Sequence, residues 1–345
     1  MCSKIHLTNL TLEEINSLPE VDKAYRGLQI FQWISRGAGT YSEMTNLPKV
    51  FKDELDKSYT LWNTKILETL KDSDGTIKLR IEVPEDSGKT SVIETVLLHD
   101  LETRKTACLS SQAGCPMGCK FCMTGKLGFS RNLDAGEILE QFYALEKEAG
   151  TIQNIVFMGM GEPLLNLKNI RKAIEILSSP KGRNFSTRRI TISTCGIVPA
   201  IYEMAENGPD TRLAVSLTSA DDEIRSSLMP VNDKYPLKEL KKALIYYTGK
   251  TKKRITLEAA LLGKVNTDSD SAAQLYTFAK DFKPLINLIP WNPVEGLDFS
   301  EPTEKEIRNF STKLISMGLQ VTIRHKKGRN IGGACGQLGR VSKQP

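Results

Sequence analysis

The apolar positions of the chain change their period twice. Up to about residue 60 they recur with helical spacing: Thr11-Leu-Glu-Glu carries a capping signature, and Leu28, Ile30, Phe31 and Ile34 form an apolar stripe over 24–34. From about 64 to 98 the pattern alternates, with strands expected at 76–83 and 91–97 on either side of a polar Pro84-Glu-Asp-Ser-Gly turn. Beyond Lys105, short apolar runs alternate with amphipathic stretches. The runs 107–110, 154–158, 189–193, 212–217, 255–261, 286–289 and 319–323 predict strands. Ile138, Phe142 and Leu145 share a helix face after Asp134-x-x-Glu137, and Ile307, Phe310, Leu314 and Met317 do so after Thr303-x-x-Glu306. Repeated strand, loop and helix imply a parallel sheet, open or curled into a barrel, with the active site at the carboxyl ends of the strands.

At 345 residues the chain suits one large domain with an appendage. No apolar window is long enough to span a bilayer, and Met1-Cys-Ser-Lys-Ile-His lacks the apolar core of a secretory signal, so a cytoplasmic protein without a membrane partner is expected. The net charge of +6 and pI near 8.8 permit nucleic acid as a partner. Basic residues crowd at Lys181, Arg183, Arg188 and Arg189, at Lys250, Lys252, Lys253 and Arg254, and in Arg324-His-Lys-Lys-Gly-Arg329. The last run lies beside a cysteine of interest and is expected to grip RNA phosphate.

Seven cysteines, clustered and odd in number, point to metal binding or catalysis rather than a disulfide framework. Three of them fall in Cys115-Pro-Met-Gly-Cys119-Lys-Phe-Cys122. Iron–sulfur clusters usually take four thiolates, so this nest would leave one iron of a [4Fe–4S] cluster open to a substrate or cofactor. The rival is a structural zinc site with Cys108 as fourth ligand. Polar turns follow successive predicted strands: Gly159-Met-Gly161-Glu162-Pro163, Ser193-Thr-Cys-Gly196, Ser216-Leu-Thr218 and Pro290-Trp-Asn292-Pro293. Together they make a cradle for a polar cofactor. Cys2 reads as an exposed terminal thiol.

The cysteine loop, Gly159-Met-Gly-Glu-Pro-Leu-Leu-Asn166, Arg188-Arg-Ile-Thr-Ile-Ser-Thr-Cys-Gly, Leu228-Met-Pro-Val-Asn232, Ile289-Pro-Trp-Asn-Pro293 and Gly332-Gly-Ala-Cys-Gly-Gln-Leu338 occur in order along the chain. This set resembles the RlmN family of radical S-adenosylmethionine (SAM) RNA methyltransferases over nearly the whole length, including Arg26-Gly-Leu-Gln-Ile-Phe-Gln-Trp33 in the helical lobe. The resemblance implies an α/β fold, a partial (β/α)6 radical SAM barrel. Its expected divisions are an N-terminal helical accessory domain at 1–62, a small β extension at 63–100, the barrel at 101–324 and a C-terminal tail at 325–345. It implies a [4Fe–4S] cluster on Cys115, Cys119 and Cys122, and SAM contacts at Gly161, Glu162, Ser193, Ser216, Leu217, Thr218 and Asn292.

The implied reaction is methylation of adenine C2 in 23S rRNA, near the peptidyl-transferase centre, and in tRNA, at the adenine following the anticodon. C2 has no lone pair with which to attack a methyl group, so a radical route is needed. By the resemblance, Cys335 accepts a methyl group from one SAM as S-methylcysteine and a second SAM generates the radical that activates it. Cys108 then releases the methylated RNA through a transient disulfide with Cys335, and Glu94 accepts the C2 proton. Read from the strand pattern alone, Glu94 would be a solvent-facing carboxylate. An electron donor such as flavodoxin or ferredoxin and a monomeric state are expected. Three departures stand out: Thr218 where the family usually has histidine, Cys195 where serine is common, and Gly263-Lys-Val-Asn-Thr267 in place of Gly-Val-Asn-Asp. The stretch from Glu94 to Cys108 is also one residue longer. The alternatives are a Cfr-type adenine C8 methyltransferase, a non-enzymatic Fe–S RNA-binding protein, and an electron carrier, for which four cluster ligands would be expected.

Overall fold

The computed structural model describes residues 4–85, 88–100, 104–324 and 326–339; Cys2, the middle of the 84–88 turn and His325 lie outside them. Ten strands form one sheet: β1 (Lys65–Lys71), β2 (Ile77–Pro84), β3 (Thr90–Asp100), β4 (Arg104–Cys108), β5 (Asn154–Phe157), β6 (Ile190–Thr194), β7 (Arg212–Ser216), β8 (Thr256–Leu261), β9 (Leu285–Pro290) and β10 (Gln320–Ile323). Their spatial order is their order in sequence. β1 to β4 run antiparallel, and β4 to β10 run parallel. The β extension is therefore continuous with the main sheet, hydrogen-bonded to it through β3 and β4.

Crossovers between parallel strands are right-handed, so when every one steps the same way all the helices fall on one face. Six helices fill that face: α1 (Ala135–Ala149), α2 (Leu167–Ser178), α3 (Val198–Asn207), α4 (Leu237–Thr251), α5 (Ser269–Ala279) and α6 (Glu304–Ser316). The bare face curls inward, since a single cavity is bordered by Thr106, Val156, Thr191, Ala214, Thr256, Leu285 and Thr322, one residue from each parallel strand. β1 and β10 remain the edges, so the barrel is open and holds six β/α units followed by an extra strand. All three capping boxes expected from sequence are formed, Thr11 with Glu14, Asp134 with Glu137 and Thr303 with Glu306.

In the N-terminal lobe, Ile5–His6 pairs with Tyr59–Thr60, and the helices Leu12–Asn16, Ala24–Ile34 and Lys49–Ser58 enclose Ile15, Ile30, Phe31, Ile34 and Leu55. The lobe covers the outer face of α1, and residues 135–145 are consequently buried on all sides rather than along one stripe. Burying charge there requires partners. Glu140 receives His6 Nε2 (2.5 Å) and the backbone N–H groups of Asn63 and Thr64 (2.9 Å each). His6 sits so close over the helix that a side chain on Gly136 would meet its ring at 2.3 Å. Burial alone would lower the His6 pKa, but the Asp134 carboxylate, 3.7 Å from Nδ1, and the hydrogen-bonded Glu140 outweigh it and raise the value from 6.5 to about 10.

Removing this partner from buried Glu140 should cost about 3–5 kcal/mol. Because the folded pKa is raised, the His6 contribution is whole below pH 6.5 and is lost as pH climbs through about 10. Thermal unfolding of the protein and of His6→Leu, followed from pH 6 to 10, should converge at the alkaline end.

Candidate functional site

The loop after β4 is pinned before it reaches its cysteines. Gln141 of α1 clamps Ser110 through both backbone groups, N–H to Oε1 (2.8 Å) and Nε2–H to carbonyl (3.0 Å). Gln112–Gly114 then pairs antiparallel with Phe129–Asn132, and Cys115 N–H donates to the Gly128 carbonyl (2.7 Å), so the three thiols lie inside a closed hairpin. Lys120 N–H donates to Leu228 and Met123 N–H to Gly336, which fixes the centre of the loop.

Cys115, Cys119 and Cys122 border a cavity of about 180 Å3 at the carboxyl ends of the strands. Gly161, Glu162, Ser193, Ser216, Thr218 and Asn292 border it too, while Leu217 is buried behind it with its N–H on the Glu258 carbonyl (2.8 Å). Gly161 has φ of +103°, and a Cβ there would lie 2.6 Å from Gln112, so no other residue fits without a shift. Glu162 is buried and carries its carboxylate on the N–H groups of Cys195 (2.8 Å) and Leu164 (3.0 Å); burial pushes its pKa up against these bonds. Cys195, just past the end of β6, is buried.

Thr218 is the unusual member. It is a β-branched residue at φ +62°, in the left-handed region, and its buried hydroxyl has no partner among the described residues. Its N–H donates to Glu258 O (3.2 Å), and Asn266 Nδ2 donates to its carbonyl (2.8 Å). The divergent 263–267 loop thus has a role: Asn266, also bonded to Ala260 and Leu262, holds the strand end on which Thr218 sits. Behind it, Arg225 is fully buried and donates to the carbonyls of Leu217 (3.1 Å) and Cys195 (2.7 Å) and to Asn232 Oδ1 (2.9 Å), tying two strand ends together. Arg225 carried no signal in the sequence, where an arginine on a short polar helix reads as exposed. Glu258 did carry one, as the lone acid in the middle of a buried parallel strand.

A second cavity, of about 490 Å3, fills the barrel below the first. Cys108 borders it, and its pKa is raised to about 12 by burial first and then by the facing Cys335, with Arg324 opposing. Cys335 borders both cavities. Its tail crosses the open side of the barrel: Gly328 N–H bonds Asp74 (2.9 Å), Asn330 bonds Asp72 (2.9 Å), Thr124 Oγ1 donates to Leu338 O (2.8 Å) and Asn292 Nδ2 to Cys335 O (3.4 Å). Glu94 is buried rather than solvent-facing, pairs with Lys78 (3.0 Å) and accepts from Gly339 N–H (2.7 Å); it borders neither cavity.

The basic runs separate by position. The runs before β6 and β8 lie at the amino ends of the strands, away from the site. In the run after β10, Lys326 and Arg329 both pair with Glu301, and Lys327 donates to the His99 carbonyl, so an RNA phosphate would have to displace Glu301.

The donor set suits an iron–sulfur cluster. Burial raises all three loop thiols, Cys115 to about 12, a state that coordination reverses by deprotonating the sulfur. Cys108 borders the other cavity, facing Cys335, so the four-cysteine zinc set does not assemble. Thr218 Oγ1 and Asn292 Oδ1, without hydrogen-bond partners among the described residues, border the same cavity as the thiols, offering polar contacts to a cofactor with hydrogen-bonding groups.

Residues 109–275 match the model of the radical SAM superfamily. A probable dual-specificity RNA methyltransferase RlmN of Treponema denticola is 55% identical over 97% of this chain and 96% of its own. The dual-specificity RNA methyltransferase RlmN of Lawsonia intracellularis is 42% identical, again over 97% and 96%. A radical SAM methyltransferase crystal structure from Sphaerobacter thermophilus superposes with a TM-score of 0.92 at 39% identity, covering 97% of this chain and 99% of that one.

Two outcomes are expected. Anaerobically reconstituted protein should hold one [4Fe–4S] cluster, and Cys119→Ala should lose both iron and acid-labile sulfide; tightly bound zinc without sulfide would refute this. Asn266→Ala should weaken SAM binding about tenfold, the scale of a buried carbonyl left unpaired, with iron content unchanged in equilibrium binding and metal analysis.

Proposed function

The chain belongs to the RlmN family of radical SAM RNA methyltransferases, and we propose from that membership that it methylates adenine C2 in both 23S rRNA and tRNA. The observation that carries the reading is the place of Cys335 at the junction of two cavities, one with the cluster-loop thiols and SAM-contact residues, the other with Cys108. A methyl carrier must face its donor on one side and its acceptor on the other. The relatives favour this reading over the Cfr type.

Cys115, Cys119 and Cys122 would hold the cluster, leaving one iron for SAM, and the pair supplies a methyl group and a hydrogen-abstracting radical when bound. Everything else falls to the chain. Glu162, Ser193, Ser216, Thr218 and Asn292 orient SAM. Cys335 accepts the methyl group as a thiolate and keeps it as S-methylcysteine, so each turnover uses two SAM. Cys108, held protonated by a pKa of about 12, stays out of that first step although it shares the cavity. Once Cys335 is bonded to RNA and the adduct has given up its C2 proton and one electron, the latter to the electron carrier, Cys108 surrenders its proton and attacks the Cys335 sulfur. The S–S bond forms as the S–CH2 bond breaks, the carbon keeps that electron pair and takes a proton to become the methyl group, and a disulfide is left. Glu94 accepts the C2 proton in this scheme; doing so requires the tail carrying Gly339 to move, because that carboxylate is engaged by Lys78 and Gly339 N–H. We further propose a monomer in the cytoplasm, reduced by flavodoxin or ferredoxin; no helix among the described residues is long and apolar enough to cross a membrane.

The decisive test is Cys108→Ala. Cluster content and SAM cleavage should survive, while the protein accumulates bonded to RNA through the methylene on Cys335. A denaturing gel with labelled RNA should show a shifted band that the added change Cys335→Ala removes. Full turnover by Cys108→Ala without adduct would defeat the disulfide step.

A further inference from the structure

The lower cavity has a polar wall that the reaction as described leaves idle. Glu258 on β8, Asn287 on β9 and Thr322 on β10 stand on one rung, each in register with the next. Their hydrogen bonds run one way: Thr322 Oγ1 donates to Asn287 Oδ1 (3.1 Å), and Asn287 Nδ2 donates to Glu258 Oε1 (3.4 Å). From the other side Ser193 Oγ donates to Glu258 Oε2 (3.0 Å). The Thr322 hydroxyl also lies 3.3 Å from the Ile286 carbonyl, so the amide orientation is set by Glu258: a carboxylate only accepts, and the Asn287 group facing it is therefore the NH2. Glu258 is 5% exposed and makes no ion pair among the described residues. A carboxylate has about four acceptor sites, and two of these are met by side chains. The wall thus offers an acceptor next to a donor.

The rest of the cavity suits a nucleotide. Cys108 and Cys335 border it, and Arg104 and Arg324 line its side beside Lys326 and Lys327, which Glu301 and the His99 carbonyl already engage; sugar and phosphate would remain there, outside the barrel. Enzymes that modify a base take it out of the stack and read its Watson–Crick edge in a pocket. Adenine presents there a donor at N6 followed by an acceptor at N1, the complement of Glu258 and Asn287. C2 comes next around the ring, beside the held edge. Guanine carries O6 as an acceptor in place of the N6 donor and would oppose Glu258.

We propose that the barrel-interior cavity receives the unstacked target adenine, with Glu258 accepting from its N6 amine and Asn287 Nδ2 donating to its N1. The assignment makes Glu258 a specificity-determining residue and rests on the reading of RNA adenine as substrate.

The test compares RNA hairpins carrying adenosine or purine riboside, which lacks the N6 amine, at the target position, using the reconstituted full-length enzyme. Wild type should prefer adenosine in kcat/KM by about ten- to a hundredfold, the range of a hydrogen bond to a charged acceptor. Glu258→Ala should bring the ratio near one, and Glu258→Gln, which keeps a neutral acceptor, should fall between. An unchanged ratio in Glu258→Ala overturns the assignment and leaves Glu258 as a support for Ser193. As a second variant, Ala214→Leu fills the cavity from β7; it should lose RNA methylation while Cys335 still gains a methyl group from SAM, read by protein mass spectrometry. Undiminished RNA methylation by Ala214→Leu would also overturn it. Should wild type methylate Cys335 but no adenine in hairpin, rRNA or tRNA, the substrate reading itself has failed and the assignment falls with it.

Discussion

The arrangement depends on one constraint, the handedness of parallel crossovers applied without a reversal of direction. Because β4 to β10 follow each other in space as in sequence, all six crossover helices cover one face and the other curls inward without closing. Seven strand ends then converge on one interior. The inward residues Thr106, Thr191, Ala214 and Thr256 are small, so that interior is left hollow instead of packed. A doubly wound sheet with the same helices would have buried both faces and provided only a crevice at its switch point.

Around this hollow, buried charge serves as scaffolding. Arg225 ties two strand ends through their carbonyls, Glu162 gathers two backbone N–H groups, and Glu140 joins the N-terminal lobe to α1. An unpaired charge in such positions costs several kcal/mol, so each is tolerated only with its partners in place. The strained Thr218 is held in the same way, by Asn266 on its carbonyl and Glu258 on its amide. The strand ends that border the thiol-lined cavity are thus held by Arg225, Asn266 and the Glu258 backbone, none of which is among the expected SAM contacts.

The tail completes the barrel by spanning its open side. It is tied to the β extension at Asp72, Asp74 and Lys78, and to the cluster loop through Met123 and Thr124. The cysteine it carries meets both cavities for that reason, and the β extension gains a purpose as the far anchor of the tail.

Much of this was legible in the order of residues alone. The strand and helix periods located every parallel strand to within a few residues, two of the capping boxes located the starts of α1 and α6, and Cys115, Cys119 and Cys122 declared a three-thiolate nest by their spacing. These are local properties, set by pleat, helical period and ligand count over a few residues. Strand order was not legible, since periodicity is the same in an open sheet and a barrel; hydrogen-bonded register decided it. Nor were the partners of buried polar groups. Glu94 looked solvent-facing because its strand alternates, yet the tail, more than 240 residues later, covers it. Arg225 carried no signal because its short helix is polar, Asn266 stood only in a divergent loop, and Glu258 acquired its neighbours Ser193 and Asn287 from two other strands. Chemistry that depends on which atoms lie within hydrogen-bond reach is a property of packing between distant segments, and only the tertiary structure could decide it.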